Sequence, residues 1–506
     1  MPKLSLPEDR IPVIVGIGEI VDRPKEIAAG LEPLALLEQA LQRAEADSGA
    51  KLLAELGSLD VVNFLSWRYR DPEKQLAARI GAKPAHLYYG PVGGESPIRY
   101  LHEAALRIAR GECSVAAVCG AEAQSTATKA QRAGIELPWT PFAHDVEEPK
   151  RGAAFQKPLA VTLGAFRPIT VYPLYETATA AHWGQTPREA LQESGKLWST
   201  YSAVAAENPN SWLKKRFMPD EITTPTPDNR LIAWPYTKLM VANPTVNMGG
   251  ALLMTSLAKA RAAGIAEDRM IYPLGGASAE EPRDYLVRDQ FFESHPQNAV
   301  LRAVMDLVEG DGKKFDAIEL YSCFPCVPKA ARRVLGLGLD RPLTVSGGLT
   351  FAGGPGGNYM THAAAAMVER LREPGGGTHG FLLANGGWFS DCHCLVLSRE
   401  APRPGTLPRE HDVQEEADAA RGRVPPFLEH YAGPGRIETY TVIHGRDGSP
   451  AFGTVIGRTP ADERFVARVP AEDSGTIALL TSGEVEPIGH AGRAVEGMDG
   501  RVFWRA

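Results

Sequence analysis

Cysteine is scarce in this chain: it has 506 residues and 6 cysteines. They stand at Cys113, Cys119, Cys323, Cys326, Cys392 and Cys394. So few thiols in so long a chain do not suggest a disulfide framework, and a reducing cytoplasm fits. An excess of positive charge is missing too. The 54 Lys and Arg are outnumbered by 61 Asp and Glu, leaving a net charge of -7. A nucleic-acid binder would normally carry a basic stripe, so that class is disfavoured. Long apolar runs are absent from the opening "MPKLSLPEDRIPVIVGIGEIVDRP", which reads as neither signal peptide nor membrane span. The expectation is a cytoplasmic protein with no nucleic-acid or membrane partner.

Several motifs that would name a chemistry are also missing. "GIGEIVDRP" has G-x-G but no third glycine at the dinucleotide spacing, and no G-x-x-x-x-G-K-[ST] occurs. No G-x-S-x-G elbow is present, which disfavours an ordinary serine hydrolase. "CFPC" and "CHC" have the wrong spacing for a zinc finger, so buried thiols are the plainer reading and no metal is expected.

What the chain does contain is alternating strand and helix. Its length predicts about two or three domains. "IPVIVGIGE", "LDVVNFLSW" and "CSVAAVCGAEA" read as strands, and "PLALLEQALQRAEADSGA" as a helix. "SPIRYLHEAALRIARGE" predicts a helix capped by Ser96, with Ile98, Leu101, Ala105 and Ile108 on one face and Gly111 at its end. Strand, helix and strand at this spacing imply βαβ units and a mostly parallel sheet. Residues 150–238 change character, with frequent Pro, Trp and Tyr, and read as a loop or cap insertion. A second α/β series follows over 271–400. Each series has a helix-opening glycine pair, "VGGESP" and "AGGPGG", which reads as a weak internal duplication. Residues 401–424 have linker composition. Short β-patterned runs in 425–506, "GRIETYTVIH", "FGTVIGRT", "RFVARV", "TIALLTS" and "RVFWRA", predict a separate small β-barrel. The N-terminal half is thus expected over 1–149 and 239–270.

The most specific stretch is "SGGLTFAGGPGGNYMTHAA", Ser346 to Ala364. With the helix after it, it resembles the C-terminal half of the thiolase superfamily, where S-G-G is followed by G-H-P, glycine and a helix. "LYSCFPC" sits where thiolases carry an Asn-Glu-Ala-Phe loop, and "LLANGG" where they carry a Cys-x-Gly loop. "YGPVGGESPIRYLHEAALRIARGECSVAAVCGAEAQS" matches the nucleophile-bearing helix and the next strand. The tail after 425 resembles the extra domain of the type-1 thiolase-like proteins, which are similar to sterol-carrier thiolases. The resemblance implies an α/β duplicated thiolase fold, two βαβαβ halves with layered helices and sheets, plus a cap insertion and a small OB-like barrel.

The departures carry as much information. In that alignment the nucleophilic cysteine falls at Gly93 and its activating histidine at Gly354. The second cysteine falls at Ala384, and the Asn-Glu pair at Tyr321 and Ser322. A glycine has no side chain to acylate, so conventional thiolysis is excluded. The helix opening at Gly93, Gly94 and Glu95 keeps its positive dipole end, and the glycine loop lets backbone approach a thioester. Such donors hold an oxyanion or enolate. Candidates for that binding are Gly93, Gly94, Glu95, Gly354 and Asn385. Candidates for proton or acyl chemistry are Cys323, His362, Tyr321, Ser322 and Asn358. Glu95 could also orient a water as general base. Several have a plainer alternative: Cys323 as a buried filler, His362 as a core histidine, Tyr321 as packing, Glu95 as a complement to the helix dipole. His393 reads as structural, opposite Cys392 and Cys394 on a strand.

The function the resemblance implies is acetyl-CoA acetyltransferase-like chemistry on an acyl-CoA, with coenzyme A present as part of the substrate and no tightly bound cofactor. The missing cysteine points to a non-thiolytic form in which water attacks the β-carbonyl of a 3-ketoacyl-CoA, giving a free acid and acetyl-CoA. Acyl transfer through Cys323, retro-aldol cleavage of a 3-hydroxyacyl-CoA and a non-catalytic CoA-ester binder stay open. So do a homodimer and a monomer.

Overall fold

The computed structural model describes residues 6–402, 411–498 and 500–506. Two sheets form its centre, built in the same order. The first runs Pro12–Val21, Asn247–Ser256, Val115–Ala123, Ser58–Val61 and His86–Tyr89. The second runs Tyr272–Glu280, Asp391–Ser398, His379–Gly386 and Ala317–Leu320. In each, the opening strand pairs antiparallel with the last strand of its half. That strand pairs antiparallel with a third, and the third runs parallel to a fourth. The duplication read from the glycine pairs is therefore a duplication of topology.

Two helices pack on both sheets and form the middle layer, Ser96–Arg110 and Tyr359–Arg372. The first buries Ile98, Leu101, Ala105 and Ile108 and ends at Gly111, whose φ of 72° suits a glycine. The second buries Ala363, Ala364 and Ala365 in succession, because sheets flank it on two sides. Its small side chains let the layers approach. Ser96 is not the cap that the sequence suggests. It is the first helical residue, and Glu95 stands at the N-cap with helical dihedrals and no capping bond. Its carboxylate is engaged elsewhere.

The insertion is largely helical, with Pro168–His182 and Pro187–Glu207 as its long members. It ends in a hairpin, Leu231–Ala233 and Tyr236–Thr237. In the tail, Gly433–His444, Pro450–Arg458, Arg464–Pro470, Val502–Arg505 and Ala491–Glu496 close into a five-stranded barrel. "TIALLTS" is not one of its strands. It forms the helix Ser474–Thr481, because Asp473 caps it by accepting from the Thr476 N–H at 3.1 Å. Ile477 and Leu480, one turn apart, then face the barrel core.

The barrel is fastened to the rest of the chain. Ala233 of the insertion hairpin pairs with Ile443, and the Trp234 N–H donates to the Val442 carbonyl at 2.8 Å. Arg464 is fully buried and donates to the Leu286 carbonyl at 2.9 Å and to Glu438 at 2.7 Å. Glu438 keeps a second partner, Arg458, at 2.7 Å. Arg464→Met thus takes a donor from the Leu286, Arg288 and Asp289 carbonyls but leaves no carboxylate unpaired. It is expected to lower stability by about 2 kcal/mol and to speed tryptic cleavage between barrel and core; unchanged melting and unchanged proteolysis would refute that.

The segment read as a linker divides in two. Residues 403–410 lie outside the described residues. Residues 411–424 are not a free spacer. The Val413 N–H donates to the Ser278 carbonyl at 3.1 Å, and Val413 and Ala417 are buried by the helix Gln414–Ala420. Two apolar residues one turn apart dock an otherwise charged stretch. No described helix is long and apolar enough to cross a membrane.

Candidate functional site

A cavity of about 980 Å³ lies where the two halves meet. Gly93 and Gly94 enter it from the start of the helix Ser96–Arg110. Tyr321 and Cys323 come from the loop after Ala317–Leu320, Gly354 from the glycine loop, and Asn385 from the end of His379–Gly386. Six of the ten residues singled out by sequence thus share one space. Glu95 is buried just beneath it, 1% exposed, with its carboxylate against Gly93 and Gly386.

The remaining three do not reach it. Ser322 is buried and accepts from the Leu349 N–H at 3.2 Å, holding the glycine loop from below. Asn358 is the N-cap residue of Tyr359–Arg372, and its amide oxygen accepts from Thr361 at 2.8 Å. His362 faces the first sheet, where its Nδ1 is 2.7 Å from Glu19.

The two vacated thiolase positions differ. A Cβ at Gly354 would make only ordinary van der Waals contacts, the nearest at 3.4 Å. A Cβ at Gly93 would run into both carboxylate oxygens of Glu95, and one at Gly386 into its Oε2. The room for a cysteine side chain is occupied by a carboxylate. Glu95 is held by Arg99 at 2.8 Å through Oε1, while Oε2 is buried without a partner. Burial, reinforced by Asp391, pushes its carboxyl up to about 7 against the pull of Arg99 and Arg283.

Tyr321 presses its hydroxyl on Gly94, where a Cβ would strike it. Burial lifts that phenol far above its ordinary range, so it stays a neutral donor. Burial likewise pushes the Cys323 thiol up to about 12. The Gly354 N–H, one of the expected oxyanion donors, is taken by the Asn243 carbonyl at 2.9 Å. The helix start and Tyr321 remain as donors at the old nucleophile position.

Tyr172 escaped the sequence reading. It rises from the insertion helix Pro168–His182 and accepts from Asn385 at 3.0 Å. Its ring stacks on Phe324, centroids 4.6 Å apart. The only signal was the aromatic run "VYPLYETATAAHWGQ". Phe155, Phe166 and Trp388 complete an aromatic wall, and Lys150, Arg151 and Arg167 stand exposed at its edge.

A family model, the thiolase-like protein type 1 additional C-terminal domain, matches residues 412–500. A monomeric SCP2-thiolase like protein type 1 from Mycobacterium smegmatis is similar over 98% of this chain and 99% of its own, with 29% identity and a TM-score of 0.81. The chain has the thiolase-like fold of type 1. Two further solved structures share the thiolase-like fold at lower identity. An Ltp2–ChsH2(DUF35) aldolase covers 79% of this chain and 99% of its own, at 18% identity and a TM-score of 0.59. Acetyl-CoA acetyltransferase from Syntrophomonas wolfei covers 77% of this chain and 100% of its own, at 14% identity and a TM-score of 0.57. No curated protein matches the sequence. In this thiolase-like chain the six cysteines are all unpaired, and Cys392 and Cys394 bond to Asn385 and to the Ala277 carbonyl.

Proposed function

We propose that this thiolase-like protein is an enzyme that cleaves the C–C bond of a 3-ketoacyl-CoA with water, releasing a free acid and acetyl-CoA. The observation that carries the reading is the filled position at Gly93: a buried carboxylate stands where a thiol would have to be. Acyl transfer through Cys323 is disfavoured, since its thiol is held neutral and His362, a candidate proton carrier, is turned toward Glu19. The exposed Lys150, Arg151 and Arg167 suit the phosphates of coenzyme A, and the aromatic wall suits the acyl group. Tyr321 and the helix start hold the enolate oxygen that forms as the bond breaks. The neighbour described as monomeric supports a monomer as the working unit.

The test is incubation with a 3-ketoacyl-CoA in oxygen-18 water, with and without free CoA. Labelled free acid formed without CoA is the expected result. Turnover that requires CoA would sink the proposal, and so would aldehyde release from a 3-hydroxyacyl-CoA with no hydrolysis of the ketoacyl compound. Tyr321→Phe removes the donor while keeping the ring, so kcat falls about tenfold, roughly 1.4 kcal/mol of transition-state stabilisation. Cys323→Ala keeps most of the activity.

A further inference from the structure

We propose that Glu95 is the acid–base catalyst of this site, lodged where the family's cysteine thiol would stand. This rests on the hydrolytic reading above and gives it a proton carrier. The carboxylate sits at the N-cap of a helix yet makes no cap bond. It turns back instead into a slot that only glycine at both Gly93 and Gly386 leaves open. Gly93 and Gly386 both line the substrate cavity. Oε1 is anchored by Arg99 and Oε2 lacks a partner, so the carboxylate has one oxygen fixed and one free to take a proton.

Behind this slot lies a second cavity of about 970 Å³, lined by Arg99, His102, Glu103, Asp391 and His393 among others. Arg283 and Phe155 belong to the walls of both cavities. Glu95 is thus buried between residues of both: Gly93 and Gly386 around its carboxylate line the substrate cavity, and its partner Arg99 lines the polar chamber. His393 lines that chamber with its Nδ1 buried and unpartnered, and its Nε2 3.1 Å from His102.

The reaction balances on this one group. Glu95 takes a proton from water as the water oxygen bonds to the β-carbonyl carbon. The adduct collapses with cleavage of the Cα–Cβ bond, releasing the free acid. The electron pair passes to the thioester enolate, whose Cα then takes the proton back from Glu95 as acetyl-CoA forms. The charged and titratable groups facing Glu95 are Arg99 and Tyr100 from its own helix, Asp391 and Arg283 from the second half, and Tyr321 from the facing loop. Asp391 is fixed by Arg283 at 3.1 Å. A base with this balance is half-ionised at about 7, and the rate should rise with pH through that value.

Deuterium uptake at the α-carbon of acetyl-CoA in D2O separates proton transfer from bond cleavage. The native chain should catalyse the exchange. Glu95→Gln, which keeps the shape, should lose about 100-fold or more in both exchange and ketoacyl hydrolysis, with acetyl-CoA affinity within about threefold and an unchanged circular dichroism spectrum. Glu95→Asp should recover part of the exchange. Exchange that survives in Glu95→Gln, or none in the native chain, overturns the proposal. Exchange that depends on Glu95 without any cleavage of ketoacyl-CoA leaves Glu95 standing and removes the hydrolytic reading instead.

Discussion

Gly386→Ala is expected to abolish activity, by about 100-fold or more, although it adds a single methyl group and no chemistry. That methyl would fall on Oε2 of Glu95. The strand His379–Gly386 is paired on both sides up to Leu383 and cannot shift freely, so the carboxylate is the part that gives way. Gly93→Cys fails for the same reason. It places a thiol at the family's position yet evicts or is evicted by Glu95, so it restores no CoA-dependent thiolysis and lowers stability by about 1–3 kcal/mol. Gly354→His is the control: the nearest atoms to its Cβ would be 3.4 Å away, and its melting temperature should stay near that of the native chain. Gly93→Cys combined with Glu95→Ala should melt higher than Gly93→Cys alone, because the two side chains contend for one volume. Equal melting of the single and double variants would show that the carboxylate does not fill the slot.

Lys329→Met should lower stability by about 3–5 kcal/mol, more than any surface change. Lys329 and Glu176 form an ion pair with side chains 1% and 2% exposed. The second oxygen of Glu176 accepts from the Tyr236 hydroxyl at 2.8 Å, and the lysine also donates to Ser194 at 3.2 Å and to the Ala190 carbonyl at 3.1 Å. Both insertion helices, the insertion hairpin and the helix Cys326–Val334 therefore converge on one buried charge pair. Removing the lysine leaves a carboxylate in a dry interior with only hydroxyl donors. Urea unfolding measures the loss. Adding Glu176→Gln should recover a substantial part of it, and a double variant as unstable as the sum of its singles would show that the pair is not coupled.

Much of the frame was legible because periodicity follows burial directly. The β-branched opening of Pro12–Val21 and the apolar face of Ser96–Arg110 each stated their own structure. "TIALLTS" misled because its residues favour strands, and one aspartate before them decided for helix. The strand Ala491–Glu496 gave no signal, since Ala494 is its only buried residue. In the site, glycines were findable because they keep place in a motif that resembles thiolases. Glu95 was found, with a water-orienting base and a dipole partner both open to it, but its place over Gly93 was not. A carboxylate beside a helix start is most simply a partner for the dipole, and only the fold shows it turning back over Gly93. Tyr172 belongs to a segment far from the loops it touches, and His362 to a helix whose polar start faces the wrong sheet.

The strand Leu231–Ala233 belongs to the core by sequence and to the barrel by its hydrogen bonds, and Thr439 of the barrel supplies the donor for the Leu174 carbonyl in the Tyr172 helix. The two modules are interlocked rather than merely joined. Once the insertion relied on the barrel to finish its own backbone, losing the barrel would bare a strand edge and loosen the aromatic wall together. A shortened descendant would have to redesign the insertion first, so the appended module and the cavity it never touches are inherited as one.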